Sequence, residues 1–448
     1  MSNNQSLDIS TKGLLKVAIP ISLGGFVQFI VVLTDNAFLS RVGMNVMNGA
    51  GLGSMLFITL IMLGIGLASG AQIIIARRNG SALYEQIGQV FSNTLLLSIL
   101  LGFFLLGLML CTMAPLFNFL VDSDEVRGYM SSYMSIRFFG LAVYMPSLVI
   151  TSLYMGIAKT RILIYSTLIT AGVNLGLDWM LIFGEWGAPK LGIRGAAIAT
   201  VVAEILNLIF LIVYLRRDNI WKEFSIWKYL RTLSFSESGR ILNLSGPIMG
   251  QQVVALATWT VFFMFIEKLG EKELMSSQIV RFMYMMVFVT MMGVSQTTKT
   301  YVSGLIAEKR QDQLNKVLLK LVLLNLLGMA ILSHGMLLYP RFITTIFSQD
   351  VDVIFLTEKS MFTVIFAFVL ACFSSVFLNA VEGCGKTKIA MVIEIGASVS
   401  YVVLTYYVTV VSPKPIYLVW MNDYMYFGSI AIVSLLVLRF SNWKYVNV

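Results

Sequence analysis

Met155-Gly156-Ile157-Ala158-Lys159-Thr160-Arg161-Ile162 recurs, 227 residues later, as Glu382-Gly383-Cys384-Gly385-Lys386-Thr387-Lys388-Ile389. Each copy is a short basic loop between two apolar runs. The same shift pairs Pro20 with Pro247, Gly43 with Gly270 and Gly66 with Gly293. One shift that holds from Pro20 to Ile162 marks an internal repeat rather than a coincidence of composition.

The repeated halves are built for lipid. Of the 448 residues, 58% are hydrophobic and 12% charged, against roughly 25% charged in a soluble domain. Mean hydropathy is +0.83. Spans are expected at about 14–38, 48–76, 88–112, 130–155, 162–184, 195–216, 241–266, 278–303, 314–339, 358–381, 388–411 and 416–438. Lipid permits only helices or a closed barrel, and these runs are too long and too uniformly apolar for barrel strands. The expected fold is an all-α polytopic membrane protein with 12 transmembrane helices in two pseudo-symmetric six-helix lobes. The lobes are read as 1–216 and 241–448, joined by a linker at 217–240. An even number of spans per repeat makes both halves enter the bilayer from the same side, an arrangement suited to alternating access. The first dozen residues are polar and lead directly into a span, which reads as no cleavable signal.

The formal net charge of +9 does not point to nucleic acid, because Lys and Arg sit in the loops. Twenty of the 32, from Lys12 to Lys444, fall in one set of loops and nine in the opposite set. The positive-inside rule then puts both termini in the cytoplasm of a multi-pass protein of the cell (inner) membrane. Arg137, Arg281 and Lys299 are left inside spans or at their ends. The linker, with Trp221, Phe224, Trp227 and Tyr229 among its polar residues, reads as an amphipathic surface segment or as a plain tether. Cys111, Cys372 and Cys384 lack redox or zinc spacing and read as packing residues. His334, near a span end, reads as a polar interface residue.

Polar residues inside the spans carry the functional argument. Asp35 lies in Val31-Val32-Leu33-Thr34-Asp35-Asn36-Ala37-Phe38-Leu39. A charge within a span costs about 3 kcal/mol on insertion scales and is rarely idle. Asn174 and Asp178 are four apart and share a helix face, as do Thr200 and Glu204. Together these five residues are read as one pocket of oxygen ligands, suited to a hard cation or to proton exchange between clustered acids. The alternative is polar packing groups bonded to backbone. The repeat partners of Asp35, Asn174 and Asp178 are Phe262, Tyr401 and Thr405, so the second half lacks acids there. Glu394 and Asp423 also fall within spans, as either functional or packing acids. Lys299 and Gln296 read as snorkelling or interhelical contacts. Pro20, fifteen residues before Asp35, kinks the first span.

At these residues the chain resembles the MATE (multidrug and toxic compound extrusion) transporters. The resemblance is carried by Ile19-Pro20, Thr34-Asp35 and Arg41-Val42-Gly43, and by Gly156 with Lys159-Thr160. Further carriers are Val173-Asn174-Leu175, Leu177-Asp178, Ile182-Phe183-Gly184, and Gly192 with the run Gly195 to Thr200. It implies efflux of cationic or amphiphilic organic compounds in exchange for H⁺ or Na⁺, with no other cofactor and no enzymatic activity. It also implies that Asp35, Asn174, Asp178 and Thr200 match the cation site and would ligate Na⁺ if that ion is used. Pro20 matches a bending proline, and Gln28 and Tyr133 match positions near the substrate. The partners expected are small organic substrates and the bilayer, with the chain a monomer. The positions where the NorM-type branch carries acids are Ala255 and Ala371 here, which places the chain nearer the DinF-type branch. The alternative function is a lipid-linked precursor flippase of the same superfold; twelve spans with few mid-span bases argue against it. No nucleophile motif, metal-ligand spacing or phosphate loop supports an enzyme.

Overall fold

A computed structural model describes residues 6–441, so Lys444 lies outside the described residues. The chain forms helices in the order α1 (Thr11–Val42), α2 (Met44–Gly80), α3 (Tyr84–Leu120), α4 (Asp124–Arg137), α5 (Phe139–Gly156), α6 (Arg161–Phe183), α7 (Ile193–Arg217), α8 (Ile220–Glu223), α9 (Ile226–Arg231) and α10 (Phe235–Glu267). There follow α11 (Glu271–Ala307), α12 (Leu314–Leu338), α13 (Pro340–Phe347), α14 (Val351–Gly383), α15 (Thr387–Tyr406), α16 (Ile416–Val419) and α17 (Asn422–Phe440). Among the described residues, 12 helices are long and apolar enough to cross a membrane. Local chemistry sets several ends. Ser123 caps α4 by accepting from the Val126 amide, and Asp350 caps α14 by accepting from the Asp352 and Val353 amides. The Asp352 amide first, and Lys272 second, hold the Asp350 carboxyl below its usual range.

Three features differ from the sequence reading. The fourth span, expected over 130–155, is divided into α4 and α5 at Phe138, a local irregularity whose backbone keeps right-handed helical torsions and the bond from the Phe138 amide to the Met134 carbonyl at 3.0 Å. A Cβ on Gly140 would lie 2.2 Å from Arg137 Nη1 and 2.5 Å from Glu204 Oε2, so the irregularity sits beside a buried ion pair. The linker is not a plain tether. Ile220, Phe224 and Ile226 are buried, Phe224 stacks on Tyr84, and the Phe224 carbonyl would meet a Cβ on Gly88 at 1.9 Å. The segment is docked on α3.

The third difference is the division of the chain. One compact unit runs from Leu23 to Met249, and the other comprises the chain before and after it. The handovers fall inside α1 and α10, two residues after Pro20 and two after Pro247, rather than between the sixth and seventh spans. They are themselves related by the 227-residue shift. We call the two the N-terminal and C-terminal units.

Glycine contacts show why each helix is shared. In the N-terminal unit a Cβ on Gly66 would lie 2.6 Å from the Met249 Cα, and Ser245 donates to the Leu67 carbonyl at 3.2 Å. In the C-terminal unit a Cβ on Gly293 would lie 2.0 Å from Ser22 Oγ and 2.7 Å from the Ala18 carbonyl. Gly66 and Gly293 are repeat partners, as are Ser22 and Met249. Small residues let helices approach this closely without a large apolar driving force in lipid. Lys320 donates to the Ile9 carbonyl at 2.8 Å, and the Tyr301 hydroxyl to the Asp8 carbonyl at 3.0 Å. Gly66→Ala or Gly293→Ala is therefore expected to destabilise the protein by about 1–3 kcal/mol, read as a lowered Tm of the detergent-solubilised chain.

Candidate cation site

Asp35 comes from α1, Asn174 and Asp178 from α6, and Thr200 and Glu204 from α7. The four-residue spacings turn each pair to one face, and α6 packs along α7. Asn174 and Asp178 are each 1% exposed. The Asn174 amide donates to the Thr200 hydroxyl at 3.4 Å, and Thr200 donates to the Ala196 carbonyl at 2.9 Å. Asp35 and Asp178 lie near enough for each carboxyl to act on the other, with Asn174 also close to Asp178.

Four buried oxygens at this place receive no hydrogen bond in good geometry: Asp35 Oδ1, both carboxylate oxygens of Asp178, and Asn174 Oδ1. A buried polar group without a partner costs about 1–3 kcal/mol, and more when charged. Two facing carboxyl groups cannot both stay ionised and dry unless something positive lies between them. A shared proton or a small hard cation meets that demand, and the oxygen-only donor set fits either. Among the described residues no group of three or more His, Cys, Asp or Glu side chains is placed to hold a metal ion. Any cation here therefore rests on two carboxylates supplemented by amide and hydroxyl oxygens.

Glu204 does not join this pocket as a free acid. Its two oxygens accept from Arg137 Nη1 at 2.9 Å and Nη2 at 2.7 Å, a buried bidentate pair. The Arg137 guanidinium also lies 3.5 Å from the centre of the Phe57 ring. A carboxylate held by both arms of a guanidinium is neutralised already, so the reading of Glu204 as a fifth cation ligand is corrected. The sequence placed Arg137 within a span or at its end but gave it no partner. The available signal was two intramembrane charges of opposite sign, but 67 residues separate them.

The remaining expectations sort as follows. Tyr133 is buried, with its hydroxyl 3.5 Å from Ser54 Oγ, and lies near enough to Asp35, Asp178 and Arg137 to feel their charges. Gln28 is exposed on α1, two turns before Asp35. Pro20 sits within α1, which continues through it. In the C-terminal unit Phe262 packs on Tyr401 with ring centroids 5.4 Å apart, and Asn422 donates to Thr405 at 3.2 Å. The counterpart of the acid pocket is thus an aromatic plug. Asp423 accepts from the Tyr401 hydroxyl at 2.8 Å and from Tyr284, and Glu394 accepts from Tyr426. Lys299 forms a buried ion pair with Glu382 at 2.8 Å, which makes it an interhelical contact rather than a snorkelling lysine. Cys372 and Cys384 are buried, Cys111 is exposed, and none of the three is in a disulfide. His334 bonds locally to Tyr339 at 2.6 Å.

A profile of the MatE family matches residues 20–180 and 247–407. The chain belongs to the MatE family. The two matched stretches begin and end 227 residues apart, the register found in the sequence. The chain is 25% identical over 347 residues to "Probable multidrug resistance protein NorM" of Pasteurella multocida, covering 77% of this chain and 75% of that one. It is 24% identical to the protein of the same name from Thermotoga maritima, covering 85% and 82%. A solved structure described as the outward-facing conformation of a multidrug resistance MATE family transporter matches with TM-score 0.88 at 20% identity, covering 97% of each chain. That likeness shows the fold. The relatives carry the NorM name, so the placement nearer the DinF-type branch gains no support from them.

Two substitutions separate the roles of the acids. Glu204→Gln breaks a buried pair and strands Arg137, at an expected cost of about 3–5 kcal/mol, seen as a lower Tm. Asp178→Asn removes a carboxylate that lacks a donor, so Tm is held or raised. Isothermal titration with H⁺ or Na⁺ is expected to lose its signal in Asp178→Asn and to keep it in folded Glu204→Gln.

Proposed function

We propose that the chain exports cationic or amphiphilic organic compounds in exchange for H⁺ or Na⁺. The reading rests on the facing Asp35 and Asp178 carboxyls, whose oxygens have no donor. A site that wants a positive charge and has none of its own can bind a coupling ion on one side of the membrane and release it on the other. Asn174 and Thr200 supply neutral oxygens to the same ion. Arg137, engaged by Glu204, stands near enough to Asp35 to oppose a second positive charge, which favours release once the local geometry changes. Tyr133 and Gln28 are the substrate-side residues of this reading.

The two units exchange α1 and α10 just after Pro20 and Pro247. A proline removes one helical hydrogen bond, so these are the points where each helix can bend as the site is exposed to alternate sides. Cation binding at Asp35 would be transmitted along α1 to Pro20. The coupling site belongs to one unit only, since Ala255 and Ala371 carry no charge; those two alanines are also the sole basis for a DinF-type placement. The protein is taken to work as a monomer in the inner membrane, with both termini in the cytoplasm as the Lys and Arg distribution argues. The flippase alternative is not favoured by the family match.

Proteoliposomes test this directly. Efflux of a fluorescent organic cation is expected under a pH gradient alone or a Na⁺ gradient alone, and the effective gradient names the ion. Asp35→Asn and Asp178→Asn should each reduce gradient-driven transport to near background at equal reconstitution. Undiminished transport in either variant would sink the coupling assignment.

A further inference from the structure

Arg281 lies on α11, about 15 Å of helix from its start at Glu271. It is half-buried, and its Nε is buried without a hydrogen-bond partner. Among the described residues this guanidinium forms no ion pair with a carboxylate. Asp423, a buried acid of the same unit, is accounted for: it accepts from Tyr284, one turn beyond Arg281, and from Tyr401. What Arg281 does touch is aromatic. Its guanidinium carbon lies 5.2 Å from the Phe263 ring centroid, and Phe263 stacks on Trp259 at 5.9 Å. Both rings are only partly buried.

The other span arginine described above, Arg137, has its carboxylate. Arg281 has none among the described residues, and a guanidinium inside a span without an anion is costly. Under the 227-residue shift its counterpart is Ser54, which faces Tyr133 beside the acids of the N-terminal unit. The repeat therefore places Arg281 at the level of a polar pocket rather than on an arbitrary face. A planar guanidinium presents paired donors that match a carboxylate, and partly open rings beside it offer a stacking surface.

We propose that Arg281 is the anion-binding group of a substrate subsite in the C-terminal unit, holding the carboxylate of an amphiphile whose aromatic body lies against Phe263 and Trp259. The proposal deepens the export reading and rests on it for the word substrate. It names the residue of this chain that would hold a carboxylate on a substrate that carries one, a group the acids of the N-terminal unit would repel.

The test is equilibrium binding of rhodamine B and of rhodamine B ethyl ester, which differ by one carboxylate, to the purified full-length protein without any gradient. The wild type is expected to bind rhodamine B at least as tightly as the ester. Arg281→Gln should raise the Kd for rhodamine B about ten- to a hundred-fold and leave that for the ester unchanged. Binding of the ester also reports that the variant is folded. Arg281→Lys keeps the charge and should retain part of the preference. An equal change for both dyes, no change for either, or failure of the wild type to bind rhodamine B overturns the proposal. Loss of the coupling-site reading would show instead in the gradient-driven assay of Asp35→Asn, so the two ideas fail separately.

Discussion

Within a bilayer there is no water to answer a polar group, and every donor, acceptor and charge must find its partner in the protein. That constraint organises this chain. Most of its embedded charges are met. Arg137 holds Glu204, Lys299 holds Glu382 and Arg78 holds Glu237, while Asp423 and Glu394 take tyrosine hydroxyls. Against this background the unmet groups are informative. Asp35 and Asp178 face one another with oxygens that lack donors, and among the described residues Arg281 meets an aromatic ring but no carboxylate.

The two units solve the same packing problem with different chemistry. Gly66 receives Met249 and Gly293 receives Ser22, so the close helix approach is kept in both halves. At the level of the site, symmetry is dropped. Asp35, Asn174 and Asp178 on one side become Phe262, Tyr401 and Thr405 on the other. Ser54 becomes Arg281. Packing tolerates such exchanges because the backbone frame is set by the glycines and by the helix faces, leaving the pocket residues free to diverge. A duplicated scaffold thereby carries an acidic pocket in one unit and an arginine in the other.

A buried ion pair also restricts the residues around it. The Arg137–Glu204 pair occupies the space beside Gly140, where a side chain would meet it, close to the irregularity between α4 and α5. Breaking such a pair leaves one uncompensated charge, which makes it a structural commitment even if replacing both partners together would cost little. The linker shows a similar commitment: Phe224 and its carbonyl close over Gly88 and Tyr84, so the connection between the halves is part of the N-terminal unit's fold.

The sequence alone determined that the chain is helical and membrane-spanning, that it is a duplication with a shift of 227, and that Asp35 and Asp178 are charges needing a reason. These follow from local properties: apolar run length, helical period and the cost of burying charge. Only the tertiary structure decided which polar residues meet. Asn174 and Thr200 join across two helices, Glu204 turns away to Arg137, and Arg281 meets no carboxylate among the described residues. It also decided that α1 and α10 each belong to both units, a division no loop signals. Pairing and unit boundaries depend on helix rotation and on contacts between residues far apart in the chain. A one-dimensional pattern carries the face of each helix but not the neighbour that face will find.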